Sequence, residues 1–288
     1  MSRPGTFTLT TAALVTLGAS LLAAWLSTPQ RSAGPCVVAS GPAKLPEIPE
    51  SSGLAVSRRT PGLLWTHNDS GNAAVLFALD AAGAIRGRVR VPVETRDWED
   101  VSAARCPQGD CLYIADIGDN SRQRRQITIY RVPEPAPGDT VTAAPEVFTA
   151  TYVDGPHNAE ALFVVDADLF IVTKDRAGVV YRATIAPGGS RRLTFERVGQ
   201  LGIAMVTDAE TSRDGTSVVV RTTDEVILFR TADLIRGTYT PSFRTRVDGL
   251  REPQGEGVAL DGEMLYLSSE GGRDGAAGWF MSLRCRWP

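Results

Sequence analysis

The stretch Asp97-Trp98-Glu99-Asp100-Val101-Ser102, followed after a short turn by Tyr113-Ile114-Ala115-Asp116-Ile117-Gly118-Asp119-Asn120, reads as two antiparallel strands. An acidic group opens the first strand and a polar cluster closes the second. Antiparallel pairing sets the start of one strand beside the end of the other, so both acidic groups meet at one end of the hairpin. At its turn Cys106 and Cys111 bracket Pro107-Gln108-Gly109-Asp110, close enough to bridge across it.

The unit recurs. Five acid-led strand starts follow one another, at Glu50-Ser51-Ser52-Gly53, Glu99-Asp100-Val101, Glu160-Ala161-Leu162, Glu210-Thr211-Ser212 and Glu256-Gly257-Val258. The glutamates are spaced by 49, 61, 50 and 46 positions, and the long interval holds Pro133-Glu134-Pro135-Ala136-Pro137-Gly138-Asp139, a loop insertion. After each glutamate comes an apolar strand that ends in polar groups, at Asp69, Asp116, Asp175, Asp224 and Glu270. Third strands follow in every unit, and fourth strands in all but the last. Four strands per unit, repeated every 40 to 50 residues or so, is the β-propeller signature.

The chain is therefore expected to be all-β, with a single propeller over 36–288. Five blades are expected, or six if the 61-residue interval hides a reduced one. The last unit lacks a fourth strand, which Cys36-Val37-Val38-Ala39-Ser40 can supply. Strands from both termini then close the ring, and Cys36 comes beside Cys285.

The 288 residues, 43% hydrophobic, can bury a sizeable core, and 18 prolines with 28 glycines suit many turns. A net charge of −3 gives a nucleic-acid partner no electrostatic support. Residues 1–35 stand apart. Behind Arg3, Phe7 to Leu26 is uncharged and of membrane-spanning length, a hydrophobic helix that serves as signal peptide or anchor. Either role exports the body and confines membrane contact to this segment. Four cysteines agree with an oxidising compartment, and no close Cys-x-x-Cys pair favours a metal instead. A monomer is expected.

In a propeller the innermost strands line the central channel. Glu50, Glu99, Glu160, Glu210 and Glu256 are expected to ring one mouth, with Asp69, Asp116, Asp175, Asp224 and Glu270 just outside. Asp97, Asp100, Asp119, Asp208 and Asn120 thicken the ring. Carboxylates so crowded cannot all ionise without a counter-charge. Ca²⁺, a hard cation tolerant of irregular oxygen ligation, is the expected cofactor, with the five glutamates, Asp69 and Asp116 as ligands. The other reading is that each glutamate caps N–H groups of a neighbouring blade.

Both histidines of the chain, His67 and His157, fall in this layer, with Lys174 and Arg221 in equivalent places. Joined by Arg122, Arg124, Arg125 and Arg273, they form a cationic collar suited to an anionic small-molecule substrate. His67, His157, Lys174 and Arg221 are the candidate catalytic residues, with a histidine as proton carrier. Ion pairing to adjacent carboxylates is the competing account. No Gly-x-Ser-x-Gly elbow is present.

Several motifs in order, Glu50-Ser51-Ser52-Gly53-Leu54-Ala55, His67-Asn68-Asp69-Ser70-Gly71, Trp98-Glu99-Asp100-Val101-Ser102, Ile117-Gly118-Asp119-Asn120, Asn158-Ala159-Glu160-Ala161-Leu162, Thr173-Lys174-Asp175 and Glu256-Gly257-Val258, resemble secreted bacterial propellers of the phytase-like group, also called "esterase-like activity of phytase" proteins. The resemblance covers most of 37–288 and implies a propeller, calcium and phosphoester hydrolysis. The leading expectation is thus an exported metal-binding propeller acting as a calcium-dependent phosphoester hydrolase. A non-catalytic ligand- or protein-binding module of the cell envelope is the alternative. A lactonase-type metal hydrolase, using neutral ligands such as Asn68, Asn120 and Asn158, is the third.

Overall fold

A computed structural model describes residue 1 and residues 32–272 and 276–287. The expected N-terminal helix and Arg273 lie outside the described residues. A short β1 (Ser32–Ala33) and a long β2 (Cys36–Leu45) lead into four consecutive four-strand units. Blade one is β3 (Ser51–Val56), β4 (Leu63–Asn68), β5 (Val75–Asp80) and β6 (Ile85–Arg90). Blade two is β7 (Trp98–Cys106), β8 (Gly109–Asp116), β9 (Ile127–Pro133) and β10 (Glu146–Tyr152). Blade three is β11 (Ala159–Val165), β12 (Asp168–Thr173), β13 (Val179–Thr184) and β14 (Arg192–Gln200). Blade four is β15 (Val206–Thr211), β16 (Ser217–Thr222), β17 (Glu225–Arg230) and β18 (Phe243–Arg246). Blade five takes β19 (Gln254–Asp261), β20 (Met264–Glu270) and β21 (Gly278–Cys285) from the C-terminal side and β2 from the N-terminal side.

The innermost strands β3, β7, β11, β15 and β19 contact one another in that order, and β19 returns to β3, so the ring of five is closed. Closure is covalent as well. β2 runs antiparallel to β21 with Cys36 opposite Cys285, and the two are disulfide-bonded. Cys106 and Cys111 form the second disulfide, across the β7–β8 turn. Two disulfides fit an oxidising, extracytoplasmic setting. Among the described residues no helix is long and apolar enough to cross a membrane.

Burial follows position within a blade. β3 and β15 are buried at every residue because sheets cover both faces, and they read as near-continuous buried strands. The outer β6 and β14 alternate between buried and exposed, as strands with one wet face must. The apolar core is correspondingly divided into five clusters, one between each pair of neighbouring blades. Trp65 and Trp98 centre the cluster between blades one and two, and Cys36, Met281 and Cys285 belong to that between blades four and five.

The long interval hides no sixth blade. Residues 133–145 run back along blade one, where Arg90 N–H donates to Thr140 O at 3.0 Å and Thr142 N–H to Arg90 O at 2.9 Å.

Candidate cation site at the channel mouth

All five innermost strands break register with their partners at the same level. The break falls between Ser51 and Leu54, Trp98 and Asp100, Ala159 and Ala161, Val206 and Asp208, and Gly255 and Val258. A bulge bends its strand and re-aims a side chain. The residues carried on these bulges are Ser52-Gly53, Glu99, Glu160, Thr207 and Glu256-Gly257. Three blades thus supply a glutamate, and two supply a hydroxyl that steadies the next blade's glutamate. Ser52 Oγ donates to Glu99 O at 2.6 Å, and Thr207 Oγ1 donates to Glu256 O at 2.9 Å.

The expected ring is corrected in two places. Glu50 precedes β3 and stands exposed at the rim, accepting from Asn72 Nδ2 at 2.5 Å. Glu210 lies three residues beyond the bulge position Thr207, and therefore deeper along the channel. There it accepts bonds from Ser102 Oγ and, at 3.0 Å, from Ala103 N–H of blade two. Its role is the backbone capping that was the competing account.

Asp69, Asp97 and Glu99 bring one carboxylate oxygen each within 4.8 Å of one another. Gly118 makes this approach feasible: a Cβ there would meet Glu99 Oε1 at 2.0 Å and the Asp97 carboxyl at 2.5 Å. Burial, then repulsion from Asp97 and Glu50 against a bond from Ser70 N–H, pushes the Asp69 carboxyl up to about 6. Burial and the charges of Asp69, Glu160 and Asp97 hold Glu99 well above the ordinary carboxylate range. Glu270 is pushed up to about 7 by burial, Glu256 and Asp69, and Glu160 to about 8 mainly by burial. Crowding at one mouth is what these shifts share.

The cation inside this cluster is Lys174, whose ammonium pairs with Glu160 Oε2. Burial opposes its charge, but Glu160 and Glu256 outweigh it and raise the Lys174 pKa. Arg221 and Arg124, two other members of the expected collar, are spent elsewhere. Arg221 is fully buried and donates to Gly257 O at 2.7 Å, Ser268 O at 3.0 Å and Glu252 Oε2 at 2.5 Å, clamping blade four to blade five. It is not open to a substrate. Asp116 is buried and engaged by Arg124 at 2.7 Å and by Arg96 N–H at 2.9 Å, and Arg124 also binds Gly118 O at 2.7 Å, so neither faces the mouth as ligand or collar.

His67 is fully buried, with Nδ1 on Asn68 O at 2.9 Å and its ring edge-on to Trp98. Desolvation lowers its pKa to about 4, so it is neutral at pH 7. His157 is accessible, and its Nε2 lies 2.9 Å from Asp154 Oδ1 and 2.7 Å from the Tyr181 hydroxyl. Asp175 caps its own turn through Ala177 and Gly178 N–H at 2.8 and 3.0 Å, Asp119 caps Arg124 N–H at 2.7 Å, and Asp224 is exposed. Arg122 and Arg125 are exposed. Asn68 bonds Glu50 N–H and Glu47 O, and Asn158 bonds Asp119 N–H and Asn120.

Below the bulges, Asp100 and Asp208 lie fully buried in the channel. Asp208 Oδ2 accepts Leu54 N–H at 3.2 Å and Val258 N–H at 2.5 Å, while Asp100 Oδ2 accepts Leu162 N–H at 2.6 Å. Two aspartates thereby tie inner strands from all five blades. Burial lifts Asp208 to about 7 and raises Asp100 strongly, with Asp208 adding repulsion. No sequence signal separated these capping aspartates from the mouth ligands.

No family model matches the chain, and no curated protein matches it. Similar solved structures include a gluconolactonase from Xanthomonas campestris, at 11% identity over 86% of this chain and 89% of that one, TM-score 0.46. The Dos1 propeller is similar at 10% identity over 76% and 53%, TM-score 0.37. A chain of the mitotic checkpoint complex is similar at 12% over 90% and 68%, TM-score 0.36. The five-bladed assignment rests on the strand pairing described above.

Proposed function

We propose that this extracytoplasmic propeller binds a hard divalent cation of the calcium class through Asp69, Asp97 and Glu99, and presents it to a ligand at the channel mouth. The observation that carries this reading is the triad itself. Calcium holds its oxygens at about 2.3–2.6 Å, so ligands of one ion lie at most about 5 Å apart. The three carboxylate oxygens lie within 4.8 Å of one another. Seven mouth carboxylates, Glu50, Asp69, Asp97, Glu99, Glu160, Glu256 and Glu270, outnumber the cations that act on them, Lys174 with Arg96 and Arg124 at Asp97 and Arg221 at Glu256, and the deficit of positive charge favours an ion. Three side chains leave part of a sphere of six to eight oxygens for water or ligand. A bound ion supplies Lewis acidity and charge there.

A binding module is favoured over phosphoester hydrolysis because three of the four candidate catalytic groups are not free to receive an anion. Arg221 and His67 are sealed, and Lys174 is paired. Hydrolysis retains one specific support in His157, accessible and already paired with Asp154 as a proton carrier should be. The lactonase reading is less supported, since Asn68 and Asn158 serve backbone bonds and of its three neutral ligands Asn120 alone is free of one.

The test is a melt of the purified protein in calcium and in EDTA, with phosphate release from a simple aryl phosphate measured in parallel. Calcium at a hundredfold excess over its Kd should stabilise by about 2.7 kcal/mol, roughly 5–10 °C for a chain this long. Glu99→Gln should remove most of that gain. No phosphate release supports the module; chelator-sensitive release supports hydrolysis. A melt indifferent to calcium, EDTA and Glu99→Gln sinks the cation reading.

A further inference from the structure

On the face opposite the cation mouth, a cavity of about 610 Å³ opens at the seam of blades four and five. That size falls within the range of about 300–1,000 Å³ usual for small-ligand sites. A second cavity of about 780 Å³, lined by Ala103, Ala104, Val164 and Val165 of blades two and three, adjoins it. Asp214, Thr216, Ser217 and Arg230 line both, so the two form one cleft. One end of the cleft is aromatic. Phe243 of β18 and Trp287, just past β21, are both half-buried and meet edge-on with centroids 5.5 Å apart. The Trp287 indole N–H donates to Gly262 O at 2.9 Å, which holds the ring in place as a platform.

The shared wall is polar and pre-set. Asp214, in the β15–β16 turn, accepts on Oδ1 from Ser212 Oγ at 2.6 Å, Thr216 N–H at 3.0 Å and Thr216 Oγ1 at 2.8 Å. Among the described residues no other residue bonds its Oδ2. Burial opposes the Asp214 charge, but the bonds from Ser212 and Thr216 outweigh it and lower the pKa. Arg230, at the end of β17, is exposed, and its guanidinium has no partner among the described residues. In the second cavity Thr231 is only 5% exposed, and its Oγ1 is buried with no hydrogen-bond partner. An unmet buried hydroxyl costs about 1–3 kcal/mol, which a ligand hydroxyl in the cleft would relieve.

A saccharide matches this lining group by group. The C–H face of a pyranose ring is apolar and packs on an aromatic ring, while the hydroxyls at its edge both donate and accept. A carboxylate oxygen receives such hydroxyls, and a free guanidinium offers them a planar set of N–H donors. A fatty acyl chain would leave Asp214 and Arg230 unmet, and a simple anion would leave the platform and Asp214 unmatched. We infer that this cleft is a saccharide-binding site, with Trp287 and Phe243 as its platform, Asp214 and Arg230 as its polar clamp, and the second cavity receiving the next sugar unit. It is independent of the cation at the mouth.

The experiment titrates the purified protein, by calorimetry, with neutral tetrasaccharides of glucose, mannose, galactose and N-acetylglucosamine, in calcium and in EDTA. At least one should bind, equally in both. Arg230→Ala removes a side chain without a partner in the fold, so it should leave the melt unchanged yet weaken binding about tenfold, the loss of one charged hydrogen bond. Asp214→Asn keeps an acceptor for Ser212 and Thr216 but replaces the free oxygen with a donor, and should weaken binding at least as much. Trp287→Ala should abolish binding, and Trp287→Phe, which keeps an aromatic face, should retain most of it. No binding at about 1 mM, half-saturating for a free energy of only about −4 kcal/mol, overturns the inference. So does binding that requires calcium, which would put the saccharide at the mouth, or binding indifferent to both Arg230→Ala and Asp214→Asn.

Discussion

Glu134 Oε1 accepts the indole N–H of Trp65 at 2.9 Å, joining the Pro-rich insertion of blade two to the core of blade one. The same carboxylate takes the Ser57 hydroxyl and the N–H groups of Arg58 and Arg59, both at 3.1 Å. Arg59 returns a bond to Glu134 O at 3.0 Å. Trp65 and Ser57 are wholly buried and Glu134 nearly so, so these two bonds form where water cannot replace them. Further along the insertion, Pro137 O lies so close to Gly87 that a Cβ there would meet it at 2.0 Å. Residues 133–145 are a clasp across the blade one–blade two seam.

We expect Glu134→Ala to cost about 2–6 kcal/mol, because it strands two buried donors, the Trp65 indole N–H and the Ser57 hydroxyl, each costing about 1–3 kcal/mol when water cannot reach it. Glu134→Gln keeps the shape and should cost less. Chemical denaturation of the three proteins checks this. A loss below about 0.5 kcal/mol for the alanine variant would show that the clasp carries no stability.

The extent to which the molecule was legible beforehand follows from the same residues. Five blades and the join of the two ends could be read because acid-led strand starts repeat and because Cys36 and Cys285 bracket the body. Glu99, Glu160 and Glu256 could be read as mouth residues for the same reason. Glu210 could not be separated from them, since its position depends on a one-residue bulge at Thr207 that only strand pairing reveals. Arg221, at the end of a strand, reads as a collar cation open to a substrate, yet blade packing seals it completely. Glu134 sits among prolines that read as a surface loop, and its partners Trp65 and Ser57 are some 70 residues away.

The pH dependence of stability should expose the deep carboxyls. Burial pushes Glu210 from its usual 4.5 to about 8, over the opposing bonds from Ser102 and Ala103. A carboxyl that ionises later in the folded chain than in the unfolded one contributes stability that is complete below pH 4.5. That contribution is lost as pH climbs through about 8. Asp208, raised to about 7, acts in the same direction. With EDTA present to keep ions out, stability should therefore fall from pH 5 to pH 8. Glu210→Gln can accept from Ala103 N–H through its oxygen and donate to Ser102 Oγ through its amide, without a titratable proton, and should flatten the fall by up to about 1.4 kcal/mol per pH unit. Parallel pH curves for the two proteins would mean that Glu210 ionises normally.

The two disulfides close loops of very different size, so they should differ in worth. Cys36 and Cys285 are 249 positions apart, and Cys106 and Cys111 only 5. On chain-entropy grounds, the long loop restricts the unfolded chain by about 5 kcal/mol and the short one by about 2 kcal/mol. The native side points the same way. The long link lies in the blade four–blade five core and secures β2 on β21, the one pairing of a C-terminal with an N-terminal strand. The short link only tightens a hairpin whose strands are already paired from Trp98 to Cys106. We expect Cys36→Ser with Cys285→Ser to lower the urea midpoint well beyond Cys106→Ser with Cys111→Ser. Loss of the long link should also raise hydrogen exchange first in β2 and β21, because this pairing joins the two ends of the chain and would then have no covalent tie. Equal losses from the two pairs, or exchange that rises evenly over all blades, would place the weakest seam elsewhere in the ring.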